Sequence, residues 1–162
     1  MSDFKNDPKH PFRDVALLDE LDREILRQLS RDSSASYSKL GEMLGLSAAA
    51  AHDRVKKLKR EGVIEGTVAV LNYSKLDRLF LAFVQLKIDA AKKKDQIASL
   101  SAITEIEEIH SIAGEFSLLV KVRTHDTNHM EMVFEKIYAI EGILSSQTII
   151  AFKTYLERPM QV

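Results

Sequence analysis

Residues 45–62, GLSAAAAHDRVKKLKREG, constrain this chain more than any other stretch, because they spell a helix with both ends marked. Ser47 is a good N-cap, its hydroxyl able to accept from the backbone N–H of Ala49 or Ala50. Four alanines follow, the residue with the highest helix propensity. Ala51, Val55 and Leu58 fall at i, i+4 and i+7 and form one apolar stripe, and Gly62 ends the helix. Arg54, Lys56, Lys57, Lys59 and Arg60 lie off that stripe, offset by Asp53 and Glu61 alone. A slim, uncharged first turn followed by a basic shaft suits entry into the DNA major groove. Bulky side chains there would hold the helix off the base edges, and cations farther along reach phosphates. The plainer reading is a solvated charged face on an ordinary core helix.

The preceding residues decide between the two. Leu18, Leu21, Ile25 and Leu29 recur at helical spacing, with acidic residues from Asp19 to Glu24 at the N-terminal end of the dipole. Tyr37, Leu40 and Leu44 mark a second, shorter helix capped by Ser36, and Gly45 permits a tight reversal into Ser47. Three helices, the last two joined by about three residues around a glycine, form a helix-turn-helix, and one apolar stripe from each closes a small core. Overall charge does not oppose this. The net charge is −1, and residues 1–66 hold twelve Lys or Arg against twelve Asp or Glu, so nucleic-acid binding has to come from a local patch multiplied by oligomerisation.

After Gly62 the hydrophobic period changes from helical to two. Residues 63–71 (VIEGTVAVL) read as a strand, a wing or tether, and 72–77 as a turn. Residues 80–88 (FLAFVQLKI) read as a buried strand; 106–112 and 116–122 alternate about a turn at 113–115 and read as a hairpin. A helix through Ile97 and Leu100 precedes the hairpin. A second, over 128–140, turns Met130, Val133, Ile137 and Ile140 inward, and a last strand covers 143–152. Strand, helix, strand, strand, helix, strand is the ferredoxin-like order. The class is therefore α+β, with a three-helix, winged helix-turn-helix domain over 18–62, a strand linker over 63–77 and a ferredoxin-like domain over 78–162, preceded by an arm over 1–17. Two helices cover one face of such a sheet and leave the other for a second copy.

LDELDREIL, the GLS turn with RVKKLKREGVIEG, HSIAGEFSLLVKVRTHD and EGILSSQT, in this order and spacing, resemble the Lrp/AsnC (feast/famine) transcription regulators from residue 18 to the C-terminus. The resemblance implies a RAM/ACT-like C-terminal domain that dimerises, assembles further into tetramers or octamers, and binds a small effector, most often an amino acid, at contacts between dimers. It places DNA contacts on Ser47, Ala49, Ala50, Arg54 and Lys57. It places the effector site around Gly114, Glu115, Phe116 and Ser117, with Thr127, Thr148 and Ile150 from neighbouring segments. The family commonly has proline and threonine where Ala48 and Ala49 stand, which shifts readout here toward DNA shape and toward Arg54 and Lys57. It commonly has a second acid where Ser117 stands.

Other chemistry finds no footing in the sequence. With no cysteine there is no disulfide framework and no Cys-ligated zinc, and no GxSxG, P-loop or Gly-rich dinucleotide turn occurs, so no enzyme, metal site or cofactor is expected. His125 and His129 have the i, i+4 spacing of a metal pair, but His125 is expected to precede the helix. Glu105, Glu107 and Glu108 read as a solvated edge. No apolar run approaches a membrane span or a secretory signal, which makes a cytoplasmic, nucleoid-associated regulator of a pseudo-palindromic operator the expected setting. The alternative is an architectural protein of the same fold that wraps DNA without a ligand.

Overall fold

The computed structural model describes residues 17–158, so the arm expected over 1–17 lies outside the described residues apart from Leu17. The chain divides into two compact units, one built on the N-terminal helices and the other spanning Val70–Leu156. No helix among the described residues is long and apolar enough to cross a membrane.

The first unit contains α1 (Glu20–Arg31), α2 (Tyr37–Leu44) and α3 (Ala48–Arg60). Each start is capped by a side chain, as an orphan N–H requires: Asp19 accepts from Asp22 N, Ser36 from Lys39 N and Ser47 from Ala50 N. Gly45 closes α2 in the left-handed region at φ 68°. After α3, Gly62 N–H bonds Lys59 O and Val63 N–H bonds Leu58 O, the two-bond Schellman stop, with Gly62 at φ 71°. The buried core is Ile25, Leu26, Leu40, Ala51, Val55 and Leu58, with Leu18, Leu29, Leu44, Val63 and Ile64 packed partly against it. The buried face of α1 differs from the expected stripe. Leu26 enters the core, Leu21 stays only half-buried, and Asp22 is fully buried.

The strand expected over 63–71 does not form. Val63 and Ile64 turn back onto the helical core, and from 65 onward the backbone finds no neighbouring strand among the described residues, leaving Val68 and Val70 more than four-fifths exposed. Alternation supplies one face of a strand but not the ladder that makes one. A short 3-10 helix, Tyr73–Leu76, follows, capped by the Asn72 side chain.

The second unit is β1 (Phe80–Ile88), α4 (Lys93–Ser101), β2 (Ile106–Ser111), β3 (Leu118–Thr124), α5 (Thr127–Tyr138) and β4 (Ile143–Ala151). The sheet order is β2-β3-β1-β4 with every pair antiparallel, the ferredoxin-like arrangement. In register, Ala82 faces Val122 and Ile150, Val84 faces Val120 and Thr148, and Leu86 faces Leu118 and Ser146. Ala82, Val84, Leu86, Leu118, Val120 and Val122 share one face and pack against Leu100, Met130, Val133 and Ile137 of the two helices. Phe83, Gln85, Leu119 and Ile149 point to the opposite face, where they are half-buried or exposed.

Candidate nucleic-acid interface and effector site

The reading helix presents two different cationic faces. Its solvent pole, opposite Ala51, Val55 and Leu58, carries Ala49, Asp53, Lys56 and Arg60, all exposed, with Lys59 exposed beside it. Ser47, Ala48 and Ala49 form an exposed turn without bulk, and Ala50 is half-buried.

Arg54 and Lys57 lie on the flank turned toward α1, where they are already engaged. Arg54 Nη1 donates to Asp19 Oδ2 at 2.6 Å and to Asp22 Oδ1 at 2.8 Å, while Lys57 Nζ reaches Asp22 Oδ2 at 3.3 Å. The Asp22 side chain is 0% exposed and that of Arg54 28%. The Asp19 carboxyl is held below its ordinary value, first by the Asp22 backbone N–H and then by Arg54. The two aspartates in turn raise the Arg54 guanidinium, Asp19 more than Asp22. Five residues expected together as a DNA-contact set therefore divide: Ser47, Ala49 and Ala50 line the open turn, and Arg54 and Lys57 tie α3 to α1. The sequence signal for this was the acidic pair at the start of α1, which spacing alone assigned to the helix dipole.

Gly41 has a role that helical spacing does not show. A Cβ on it would lie 2.6 Å from Leu46 O and 3.1 Å from the Ser47 carbonyl carbon, so the turn before α3 approaches the α2 backbone as only glycine allows. A lone glycine inside a helical pattern was the available hint.

The expected effector residues fall at separate parts of the sheet. Gly114, at φ 137°, and Glu115 are exposed in the β2–β3 connection, whose base is closed by Ile112 N–H bonding Ser117 O; Phe116 and Ser117 are half-buried. Ser117 N–H bonds Leu86 O, tying the turn to β1. Thr127 is the first residue of α5 and is exposed. Because Ser117 precedes β3 and Thr127 follows it, the strand's length, about 20 Å, separates them. Thr148 and Ile150 sit on β4, at the opposite edge of the sheet from β2. One chain does not bring these seven residues to one pocket. The segment 114–117 precedes β3, Thr127 follows it, and Thr148 and Ile150 lie along β4.

Of the acidic cluster expected as a solvated edge, Glu107 and Glu108 do stand exposed on the edge strand β2, but all three acids are ion-paired and Glu105 is drawn inward. The Glu105 side chain is 9% exposed and accepts from His129 Nε2 at 3.0 Å, Lys136 Nζ at 3.1 Å and Thr104 Oγ1 at 3.1 Å. Burial alone would raise its carboxyl; the hydrogen bonds from His129, its own backbone N–H, Lys136 and Thr104 outweigh that and hold it at about 2. Glu107 binds Arg123 Nε at 2.7 Å, and the Arg123 guanidinium lies 3.6 Å over the Tyr73 ring, fastening the 3-10 segment to the sheet. Glu108 pairs with His110 and Lys121, and its carboxyl is lowered by them in that order. His125 precedes α5, bonds the Asp77 carbonyl and stacks on His129 at 5.1 Å. Among the described residues no group of three or more His, Asp or Glu is placed to hold a metal ion.

A helix-turn-helix with an exposed basic helix, followed by a ferredoxin-like domain with an open hairpin turn, defines a DNA-binding transcriptional regulator with a separate ligand domain. Residues 18–59 match the AsnC-type helix-turn-helix domain and residues 81–161 the Lrp/AsnC ligand binding domain. The chain belongs to the Lrp/AsnC family of transcriptional regulators, whose matched members are regulators rather than enzymes. It is 32% identical over 140 residues to the HTH-type transcriptional regulator FL11 of Pyrococcus abyssi, covering 86% of this chain and 93% of that one. The structure of AsnC from E. coli superposes with a TM-score of 0.84 at 27% identity, covering 91% of this chain and all of that one. The fold is also that of a Neisseria meningitidis transcriptional regulator crystallised in complex with L-Met, at TM-score 0.81 and 22% identity, covering 87% of this chain and 94% of that one.

Proposed function

We propose that this regulator reads operator DNA with α3 and is controlled by an amino acid held near the β2–β3 turn of an oligomer. The exposed alanine turn enters the major groove, with Ser47, Ala49 and Ala50 nearest the bases, and Lys56, Lys59 and Arg60 supply the phosphate contacts. Arg54 and Lys57 act from behind, through α1. A second copy covers the open sheet face at Phe83, Leu119 and Ile149, and further copies bring Thr127, Thr148 and Ile150 of one chain toward Gly114, Glu115, Phe116 and Ser117 of another. The observation that carries this reading is the exposed turn at 113–115, anchored to β1 but left open to solvent. The L-Met complex of the Neisseria fold relative supports an amino acid as the ligand class.

A ligand seated between copies changes DNA affinity only by its different affinity for the competing assemblies. The test is binding of the purified protein to its own upstream DNA across a salt series, with each of the twenty amino acids, while oligomer size is followed in the same samples. One amino acid shifting both affinity and assembly is the expected result. DNA binding that no amino acid alters would overturn ligand control and favour the architectural reading, which the donor-free side chains of Ala48 and Ala49 independently suit.

A further inference from the structure

A buried carboxylate is an expensive way to fill a helix interface, and a leucine at the same place commonly packs as well or better. Asp22 sits on α1 beside Ile25 and Leu26, fully buried, with both of its oxygens bound to cations of α3. What it does that a leucine would not is to hold charge. If Arg54 or Lys57 left for a DNA phosphate, part of a buried anion would stand uncompensated, and a phosphate contact in high dielectric returns less than that costs.

We propose that Asp22, assisted by Asp19, is a specificity-determining residue that withholds Arg54 and Lys57 from the DNA backbone, so that α3 enters the groove with Lys56, Lys59 and Arg60 as its phosphate contacts. This rests on α3 being the reading helix. The carboxylates keep two of five cations out of sequence-independent attraction, which otherwise rises equally on every site and dilutes what the alanine turn can discriminate. Each phosphate contact steepens the dependence of log K on log salt by about 0.9, so two released cations steepen it by about 1.8 for each head on the DNA. Over a fourfold change of salt that amounts to about 12-fold in non-specific affinity.

The experiment measures binding of the full chain to a random-sequence duplex and to its own upstream DNA over a salt series, for the wild type, Asp22→Asn and Asp19→Asn. Asp19→Asn keeps a good N-cap on α1, so it retains the fold and releases Arg54 in part. Both variants are expected to bind random DNA with a steeper salt slope and to lose selectivity for the upstream site. If Asp22→Asn loses helical circular dichroism, Asp19→Asn carries the test, with a steepening of up to about 0.9 per head. A folded variant that binds more weakly with an unchanged or shallower slope would show Asp22 to be a packing anchor only and overturn the proposal. Wild-type protein with no salt-dependent DNA binding at all would remove the reading-helix assignment, and the proposal with it, a result distinct from unchanged slopes.

Discussion

Replacing Glu105 with glutamine removes one charge from a nearly closed site while keeping the side chain's length and its capacity to accept hydrogen bonds. In the folded protein the carboxyl is held at about 2 against an ordinary 4.5, so its ionisation is favoured by folding. That difference is worth about 3 kcal/mol at neutral pH, as an upper bound. The sign follows from the direction. A carboxyl depressed by folding stabilises the native state fully above its unfolded value, and the stabilisation is lost as pH falls toward the folded value. For these two values about 2 kcal/mol disappears between pH 7 and pH 3. Urea unfolding of wild type and Glu105→Gln at one protein concentration, at pH 7 and pH 3, reads the quantity directly, with concentration fixed because assembly adds to apparent stability. Glu105→Gln is expected to be less stable at pH 7, with the gap shrinking by about 2 kcal/mol at pH 3. A gap of the same size at both pH values would show the loss to be packing rather than charge, and would refute the assignment of His129 and Lys136 as partners of an ionised Glu105.

Three further outcomes follow from the geometry. Gly41→Ala forces the Leu46 carbonyl away from a Cβ placed 2.6 Å from it, and a cost of about 1–3 kcal/mol, read as a lower melting temperature of the helical unit, is expected; unchanged stability would mean the turn yields freely. Arg54→Ala leaves Asp22 with Lys57 alone, so it is expected to lower stability by up to about 3–5 kcal/mol while changing the DNA salt slope little, whereas a slope shallower by a full contact would make Arg54 a phosphate ligand. Removing Lys56, Lys59 and Arg60 together is expected to weaken binding to specific and random DNA alike and to flatten the salt slope by about 0.9 for each cation in contact; retention of the wild-type slope would exclude that face of α3.

Sequence periodicity located most elements, because caps and turns here are local chemistry. Ser36, Ser47, Gly45 and Gly62 act within a few residues of where they stand, and each has the role its type suggests. The strand at 80–88 was equally plain, being buried on its core face and partly on the other. What stayed hidden depended on residues far apart in the chain. Asp22 reads as a first-turn acid until Arg54 and Lys57, 32 and 35 positions away, are brought against it. Glu105 reads as an edge charge until α5 delivers His129 and Lys136. The tether over 63–71 failed for the converse reason, since alternation describes a strand's own faces and says nothing of whether a neighbour is there to pair with it. The effector residues came from family resemblance, and spacing along the chain could not reveal that Ser117 and Thr127 lie a strand's length apart while Thr148 and Ile150 sit on the far edge of the sheet.

That separation bears on dosage. A ligand whose two halves of binding surface belong to different copies is held by an equilibrium that consumes protein as well as ligand, so its half-saturating concentration falls as the regulator becomes more abundant. Under the oligomeric reading, the amount of this protein in a cell would set the threshold at which it registers its effector, and a dilution series at constant ligand would make the sensor appear to change its affinity without any change in a single side chain.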